Sequence, residues 1–171
     1  MRNLTAMIFL ICAGCAGATQ RESARTVAAF EVPLPDATER SAFLVVLRRE
    51  AEASGFHLDA ATTEELHSLS QVSLITLNAS IWRGKDDEEI VASAMDDHDW
   101  PGRIWIAFAK GEDPQRFARF RQKLMHRIKQ NWPETLSLPI MPTGAIPLRS
   151  DLIRTPSGYV VDPAASARYQ L

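Results

Sequence analysis

Strand-like alternation between two helix-like stretches is the feature that most restricts how this chain can fold. In residues 72 to 82, VSLITLNASIW, every second residue from Ile75 onward is apolar, and residues 103 to 109, RIWIAFA, repeat the pattern. A period of two is typical of a strand that buries one face. Residues 56 to 59 and 88 to 95 predict two more strands, the second because a hairpin fits its neighbours.

Capping signals on either side of these strands predict two helices. Asp36 is followed three residues later by Glu39, a capping-box pattern, and this predicts a helix over residues 37 to 54. Asp113 as N-cap and Pro114 at the first helical position predict a second helix over 114 to 131. The expected fold is therefore α+β: an antiparallel sheet of three to four strands with both helices packed on one face.

The last part of the chain is rich in proline. Between residues 137 and 171 stand Pro139, Pro142, Pro147, Pro156 and Pro163, with apolar pairs between them. Because proline cannot donate to a central sheet ladder, we expect an extended tail that wraps the domain and adds no central strand.

The second helix carries a stripe of one charge sign opposite its apolar stripe. The stripe consists of Arg116, Arg119, Lys123 and Arg127, and no acidic residue lies between positions 115 and 131. It is either an ordinary solvated helix face or a surface for phosphate groups, anionic lipid headgroups or an acidic protein patch. Arg121 projects on the apolar side, where it needs a carboxylate partner or a stem that reaches solvent.

One face of the predicted sheet mixes aromatic and polar side chains. Asn78, Trp82 and Trp105 are its main members, and they form a possible binding face for a glycan, a peptide or a protein partner. The alternative is that the proline-rich tail covers this face.

An acidic turn, Asp96-Asp-His-Asp99, holds three carboxylates and an imidazole. Its spacing matches no metal-binding motif, and aspartate is common in turns because it bonds to nearby backbone. We therefore predict no metal and no cofactor.

Composition and motifs restrict the possible functions. The chain has 171 residues, enough for one domain, and a net charge of −2, which gives no general attraction to nucleic acid. It contains none of the GxSxG, P-loop or GxGxxG motifs, and its four histidines are scattered. Catalytic carboxylates cannot be recognised from spacing alone.

The N-terminus has the features of an export signal. Arg2 precedes an apolar stretch from Leu4 to Ala13 of about ten residues, about half the length of a membrane-spanning helix. Both cysteines of the chain, Cys12 and Cys15, lie at the end of this stretch, in CAGC.

The CAGC sequence resembles the lipobox of bacterial lipoproteins, with Cys12 at a position where that family usually has leucine. The resemblance implies cleavage before Cys15, lipidation of its sulfur and, by similarity to Gram-negative lipoproteins, an outer-membrane anchor facing the periplasm. The competing interpretation is ordinary signal-peptidase cleavage before Thr19, after the small residues Ala16 to Ala18, which would remove Cys15.

These patterns give a domain organisation and three functional hypotheses. Residues 1 to 14 are expected to be the signal peptide, 15 to 35 the lipidated cysteine and a tether, and 36 to 171 one domain. The first hypothesis is a non-enzymatic envelope lipoprotein that binds an envelope protein, a cell-wall component or a toxin. The alternatives are a periplasmic hydrolase of a cell-envelope polymer and an anionic-ligand binder that uses the basic stripe.

Overall fold

The chain forms an α+β fold in which one large mixed sheet carries two helices. The computed structural model describes residues 22–62, 65–66, 76–84, 89–96 and 102–169. The strands are β1 (Thr26–Pro33), β2 (His57–Ala60), β3 (Asn78–Arg83), β4 (Glu89–Met95), β5 (Arg103–Ala109), β6 (Leu136–Leu138), β7 (Leu152–Thr155) and β8 (Gly158–Val161). The helices are α1 (Ala37–Glu52) and α2 (Pro114–Asn131).

The expected sheet of three to four antiparallel strands is wrong, because the sheet has eight strands in the order β2-β3-β4-β5-β1-β6-β8-β7. All neighbours run antiparallel except β6 and β8, which are parallel. One missed strand, β1, lies within the segment predicted as a tether, and it occupies an interior position between β5 and β6.

The other missed strands, β6, β7 and β8, lie in or at the start of the proline-rich tail. These strands can form in a proline-rich segment because each is only three or four residues long and the prolines lie just outside them. Pro139 follows β6, Pro156 lies in the turn between β7 and β8, and Pro163 comes after β8. Proline therefore limits the length of these strands without excluding them from the sheet.

Gly158 is what allows β8 to approach β6. It has φ +145°, and a Cβ at this position would lie 2.6 Å from the carbonyl oxygen of Ser137. Any other residue would strain the backbone and push the two strands apart.

The two helices form where their capping residues predicted. The Asp36 carboxylate accepts a hydrogen bond from the Glu39 amide at 2.9 Å, and that of Asp113 accepts one from the Arg116 amide at 3.0 Å. The second helix has the predicted bounds, and the first ends at Glu52, two residues earlier than predicted. Among the described residues, no helix combines the length and apolarity needed to cross a membrane.

The two helices cover part of one face of the sheet, and the tail covers part of the other face. On the helix face, the apolar stripes of α1 and α2 pack over strands β1 to β5 and form the main core. The buried apolar residues of the helices are Phe43, Leu47 and Ala51 of α1 and Phe117, Phe120, Leu124, Met125 and Ile128 of α2. On the opposite face, here called the outer face, a second cluster joins Ala29, Leu138, Leu152 and Tyr159, with Ile140 and Ile146 of the tail packed against it.

Candidate binding site

The predicted aromatic and polar face is the outer face, and the tail covers only part of it. Ala79 and Ile81 are buried in the main core, so the alternation of β3 turns Asn78 and Trp82 outward. Trp105 of β5 lies on the same face but packs against the second cluster. The tail cluster therefore covers the part of this face around Trp105, and it does not include Trp82.

A cavity of about 410 Å³ lies on the outer face beside Trp82. Its floor includes Ser93 and Ala107, which pair across β4 and β5 and whose small side chains leave a depression. Trp82 and the turn Glu22–Ala24, which leads into β1, rise on either side. The described lining residues are Ser23, Ala24, Thr26, Trp82, Glu89, Ile90, Ser93, Ala107, Phe108, Ala109 and Glu112. Small-molecule sites typically begin at about 300 Å³, so the cavity is large enough for a ligand.

The Trp82 indole nitrogen is an unsatisfied donor. The Nε1 atom is buried and has no hydrogen-bond partner in the part of the chain that the structure describes. Leaving a buried donor unpaired costs about 1–3 kcal/mol, and buried tryptophan N–H groups usually find a partner. Because the nitrogen itself is buried, the part of Trp82 that a ligand in the cavity can contact is the indole ring.

The charged groups on one wall of the cavity form ion pairs with one another. Arg83 donates from Nε to Glu89 Oε2 at 2.8 Å and from an Nη atom to Glu112 Oε2 at 2.9 Å. The Glu112 amide also donates to Glu89 Oε1 at 2.7 Å. Both carboxylates that line the cavity are thus engaged by this arginine.

The carboxylate of the turn at the other wall is also ion-paired. Glu22 Oε1 lies 2.7 Å from Lys110 Nζ and 3.7 Å from an Nη atom of Arg25. The hydrogen bond and charge of Lys110 lower the pKa of Glu22, so this carboxylate is ionised and paired at neutral pH. The two walls together offer a ligand hydroxyl groups, the indole ring of Trp82 and apolar surface, and each carboxylate on them is paired with a cation.

The structure separates the three residues predicted for this face. Trp82 lies opposite Ile90 at one end of β4, whereas Asn78 and Trp105 both lie opposite Met95 at its other end. Of the three, Trp82 lines the cavity and the other two do not.

Three members of the basic stripe contact α1 or the chain that leaves it. Arg116 donates to the carbonyl oxygens of Ser54 and Gly55 at 3.1 and 3.2 Å. Its guanidinium also lies 4.6 Å from the centre of the Phe56 ring, so this arginine caps the chain that leaves α1.

Lys123 and Arg127, the other two of these three residues, form ion pairs with a buried acid on α1. Lys123 Nζ and Arg127 Nε lie 3.4 and 3.6 Å from the carboxylate oxygens of Glu50. Arg119, the fourth member, is exposed and makes no ion pair with any described residue. The stripe is thus neither a plain solvated face nor a set of four free cations.

The acidic turn begins with a structural residue. Asp96 is buried, and its carboxylate accepts hydrogen bonds from the amides of Thr76 and Leu77 at 2.7 and 2.8 Å, which fixes the start of β3. The rest of the turn, residues 97 to 99, lies outside the described residues. Within the described ranges, no group of three or more His, Cys, Asp or Glu side chains is arranged to hold a metal.

Sequence reasoning missed most of the cavity. The small residues on the outer face of β4 and β5, Ser93 and Ala107, carried a signal because they sit at outward positions where bulkier residues are common. No sequence signal marks the wall around Ser23 and Thr26, because that wall forms only when β1 lies inside the sheet.

Comparisons with known proteins assign no family. No protein-family model matches the chain, and no curated protein matches it at a significant level.

Proposed function

We propose that this protein is a non-enzymatic envelope lipoprotein that binds an uncharged, hydroxyl-rich ligand in the cavity beside Trp82. The observation that carries the proposal is a cavity lined by the indole of Trp82 and by carboxylates that are already ion-paired. A charged ligand would have to compete with these ion pairs and would lose part of its hydration. A neutral ligand packs against the indole and disturbs no ion pair.

A sugar chain of the cell envelope fits this description. A sugar ring presents C–H groups on its faces and neutral oxygen atoms around its rim. The cavity offers matching groups: apolar surface from Ile90 and Ala107, and hydroxyls from Thr26 and Ser93.

The proposed anchor supports an envelope glycan as the ligand. If Cys15 is lipidated, eight residue steps separate it from Ser23 at the edge of the cavity. A fully extended chain of that length spans at most about 28 Å. The cavity would then stay close to the membrane surface, where an envelope glycan within that distance is accessible.

The arrangement favours binding over the hydrolase alternative. The two carboxylates that line the cavity, Glu89 and Glu112, are both held by Arg83. General acid and nucleophile roles need carboxylates that are free to reach the scissile bond. The anionic-ligand alternative loses support as well, because three of the four stripe residues are engaged within the protein.

Calorimetric titration of the full-length protein in non-ionic detergent tests the proposal. The probes are uncharged oligomers of N-acetylglucosamine and of glucose, with cationic glucosamine oligomers and anionic galacturonate oligomers for comparison. We expect an uncharged oligomer to bind and both charged ones to bind more weakly. Trp82→Phe replaces the indole by a smaller ring that covers less of the ligand, and should weaken binding about 2- to 10-fold.

Trp105→Phe is the matched control, because it makes the same change on the same face but outside the cavity. It should leave the affinity unchanged. The proposal is wrong if neither uncharged oligomer binds, if the charged oligomers bind equally well, or if the two variants behave alike.

A further inference from the structure

Part of the helix face is left uncovered by the two helices. Ile153 of β7 and Val160 of β8 pair across their strands, and they are 45% and 47% exposed. Their neighbours Leu152 and Tyr159 belong to the cluster on the outer face, so the alternation turns Ile153 and Val160 to the helix face.

A groove of about 420 Å³ lies on the same face of the sheet, between β1 and α2. Phe30 of β1 and Met125 of α2 form apolar walls, and Ala118, Arg119, Arg121 and Gln122 complete the described lining. Phe30 pairs with Ser137 of β6, and Ser137 pairs with Gly158 of β8. The exposed pair therefore lies on the same face as the groove, on the far side of β6, and the two together are here called the α2 groove.

The charges along the α2 groove have one sign. Arg119 and Arg121 line it, and Lys129 Nζ lies 5.7 Å from the centre of the Phe30 ring. Neither arginine makes an ion pair with a described residue, and α2 contains no acid. This answers the question that Arg121 raised in the sequence, because its position on the apolar side of α2 places it at this groove.

We propose that the α2 groove binds an acidic amphipathic segment of a partner protein. Apolar side chains of the segment would contact Phe30, Ile153 and Val160, and its carboxylates would pair with Arg119 and Arg121. Charge complementarity favours an acidic partner, and the concave shape favours an inserted segment over a flat anionic membrane. The site is separate from the Trp82 cavity, which lies on the opposite face of the sheet.

Fluorescence anisotropy with a labelled synthetic peptide tests this proposal on the full-length protein in non-ionic detergent. The peptide has leucine at helical i, i+3, i+4 and i+7 positions and glutamate elsewhere, and its counterpart has lysine in place of glutamate. We expect the acidic peptide to bind and the lysine peptide not to bind. Arg119→Glu with Arg121→Glu should weaken binding about 10-fold or more and flatten its salt dependence.

Two further variants separate charge from folding and from apolar contact. Arg48→Glu with Arg49→Glu, an equal change at exposed positions of α1, should leave binding unchanged. Ile153→Asp changes an exposed residue and should also weaken binding, since it places an acid in the path of the peptide carboxylates.

Anionic lipid is the competing ligand, and it is tested by adding phosphatidylglycerol to the micelles. The proposal fails if the acidic peptide does not bind, if the lysine peptide binds equally well, or if the α1 variant matches the groove variant. It also fails if only association with phosphatidylglycerol responds to the charge reversal.

Discussion

Two buried glutamates, Glu31 in the sheet and Glu50 in the helix pair, are held in very different ways. Glu31 is completely buried, and both of its carboxylate oxygens are engaged. Arg103 donates to Oε1, and the Tyr159 hydroxyl donates to Oε2 at 2.7 Å. These contacts link β1 to β5 on one side and to β8 on the other.

Glu50 is 4% exposed but has only distant partners. Its ion pairs with Lys123 and Arg127 are 3.4 and 3.6 Å long, and its Oε2 atom makes no hydrogen bond to a described residue. The two cations keep about half of their side-chain surface in solvent.

The comparison shows that burial alone does not measure what a carboxylate contributes. A buried charge with saturated hydrogen bonds fixes the position of its neighbours, and removing a partner leaves it uncompensated. A buried charge with long contacts to exposed cations gains little from them. Stability should therefore respond strongly to changes around Glu31 and weakly to changes around Glu50.

The largest effect is expected for Arg103→Ala, which leaves the Glu31 carboxylate buried without its cation. The free energy of unfolding should fall by about 3–5 kcal/mol, measured by urea denaturation at pH 7. Arg154→Ala, at an exposed arginine of β7, is the control and should change it by less than about 0.5 kcal/mol. Equal effects of the two substitutions would contradict the role given to the ion pair of Arg103 and Glu31.

A smaller loss is expected for Tyr159→Phe, which removes one hydrogen bond to the Glu31 carboxylate. The free energy of unfolding should fall by about 1.5–3 kcal/mol at neutral pH, the usual range for a hydrogen bond to a charged group. Urea denaturation measures it, and an unchanged midpoint would contradict the role given to this hydroxyl.

Tyr159→Phe should also change how the stability of the protein depends on pH. Burial, followed by the hydrogen bond to Glu31, raises the pKa of Tyr159 above its ordinary value of 10.0. Stability from this group is therefore complete below pH 10 and is lost as pH rises through the folded-state pKa. The wild-type protein should lose more stability than Tyr159→Phe when urea denaturation is repeated above pH 10, and parallel losses would count against the assignment.

The smallest effect is expected for Glu50→Gln. Removing the charge releases Lys123 and Arg127 to water, and it relieves a buried carboxylate that lacks a full set of partners. The free energy of unfolding should change by less than about 1 kcal/mol in either direction. A loss as large as that of Arg103→Ala would show that long ion pairs matter here as much as short ones.

The parts of the fold that depend on local signals were predictable from the sequence. Asp36, Asp113 and Pro114 are capping signals that act within one turn of the helix, and they located both helices. Strand β5 was equally clear because one of its faces is fully buried.

The parts that depend on distant partners were not predictable. In β1, Glu31 points to the outer face of the sheet, where it is buried. Its partners lie 72 and 128 residues further along the chain. No local pattern identifies such a carboxylate as a core residue, so the segment that contains β1 was predicted to be a tether.

In the candidate site, too, local signals predicted some features, and others depend on distant parts of the chain. Outward alternation identified both Trp82 and Trp105 as residues of one face. Which of the two is covered depends on the path of the tail after β6, and short strands between prolines gave no indication of that path.

The interior position of β1 also restricts the order in which the protein can acquire its fold. Strand β1 precedes both of its neighbours in the chain, so it stays unpaired until β5 and β6 have been synthesised, and Glu31 lacks its hydroxyl partner until Tyr159 follows. Contacts of such large sequence separation make folding slow, because a long loop must close before they form. The sheet therefore closes late, and β1 is open to chaperones until Tyr159 has been synthesised.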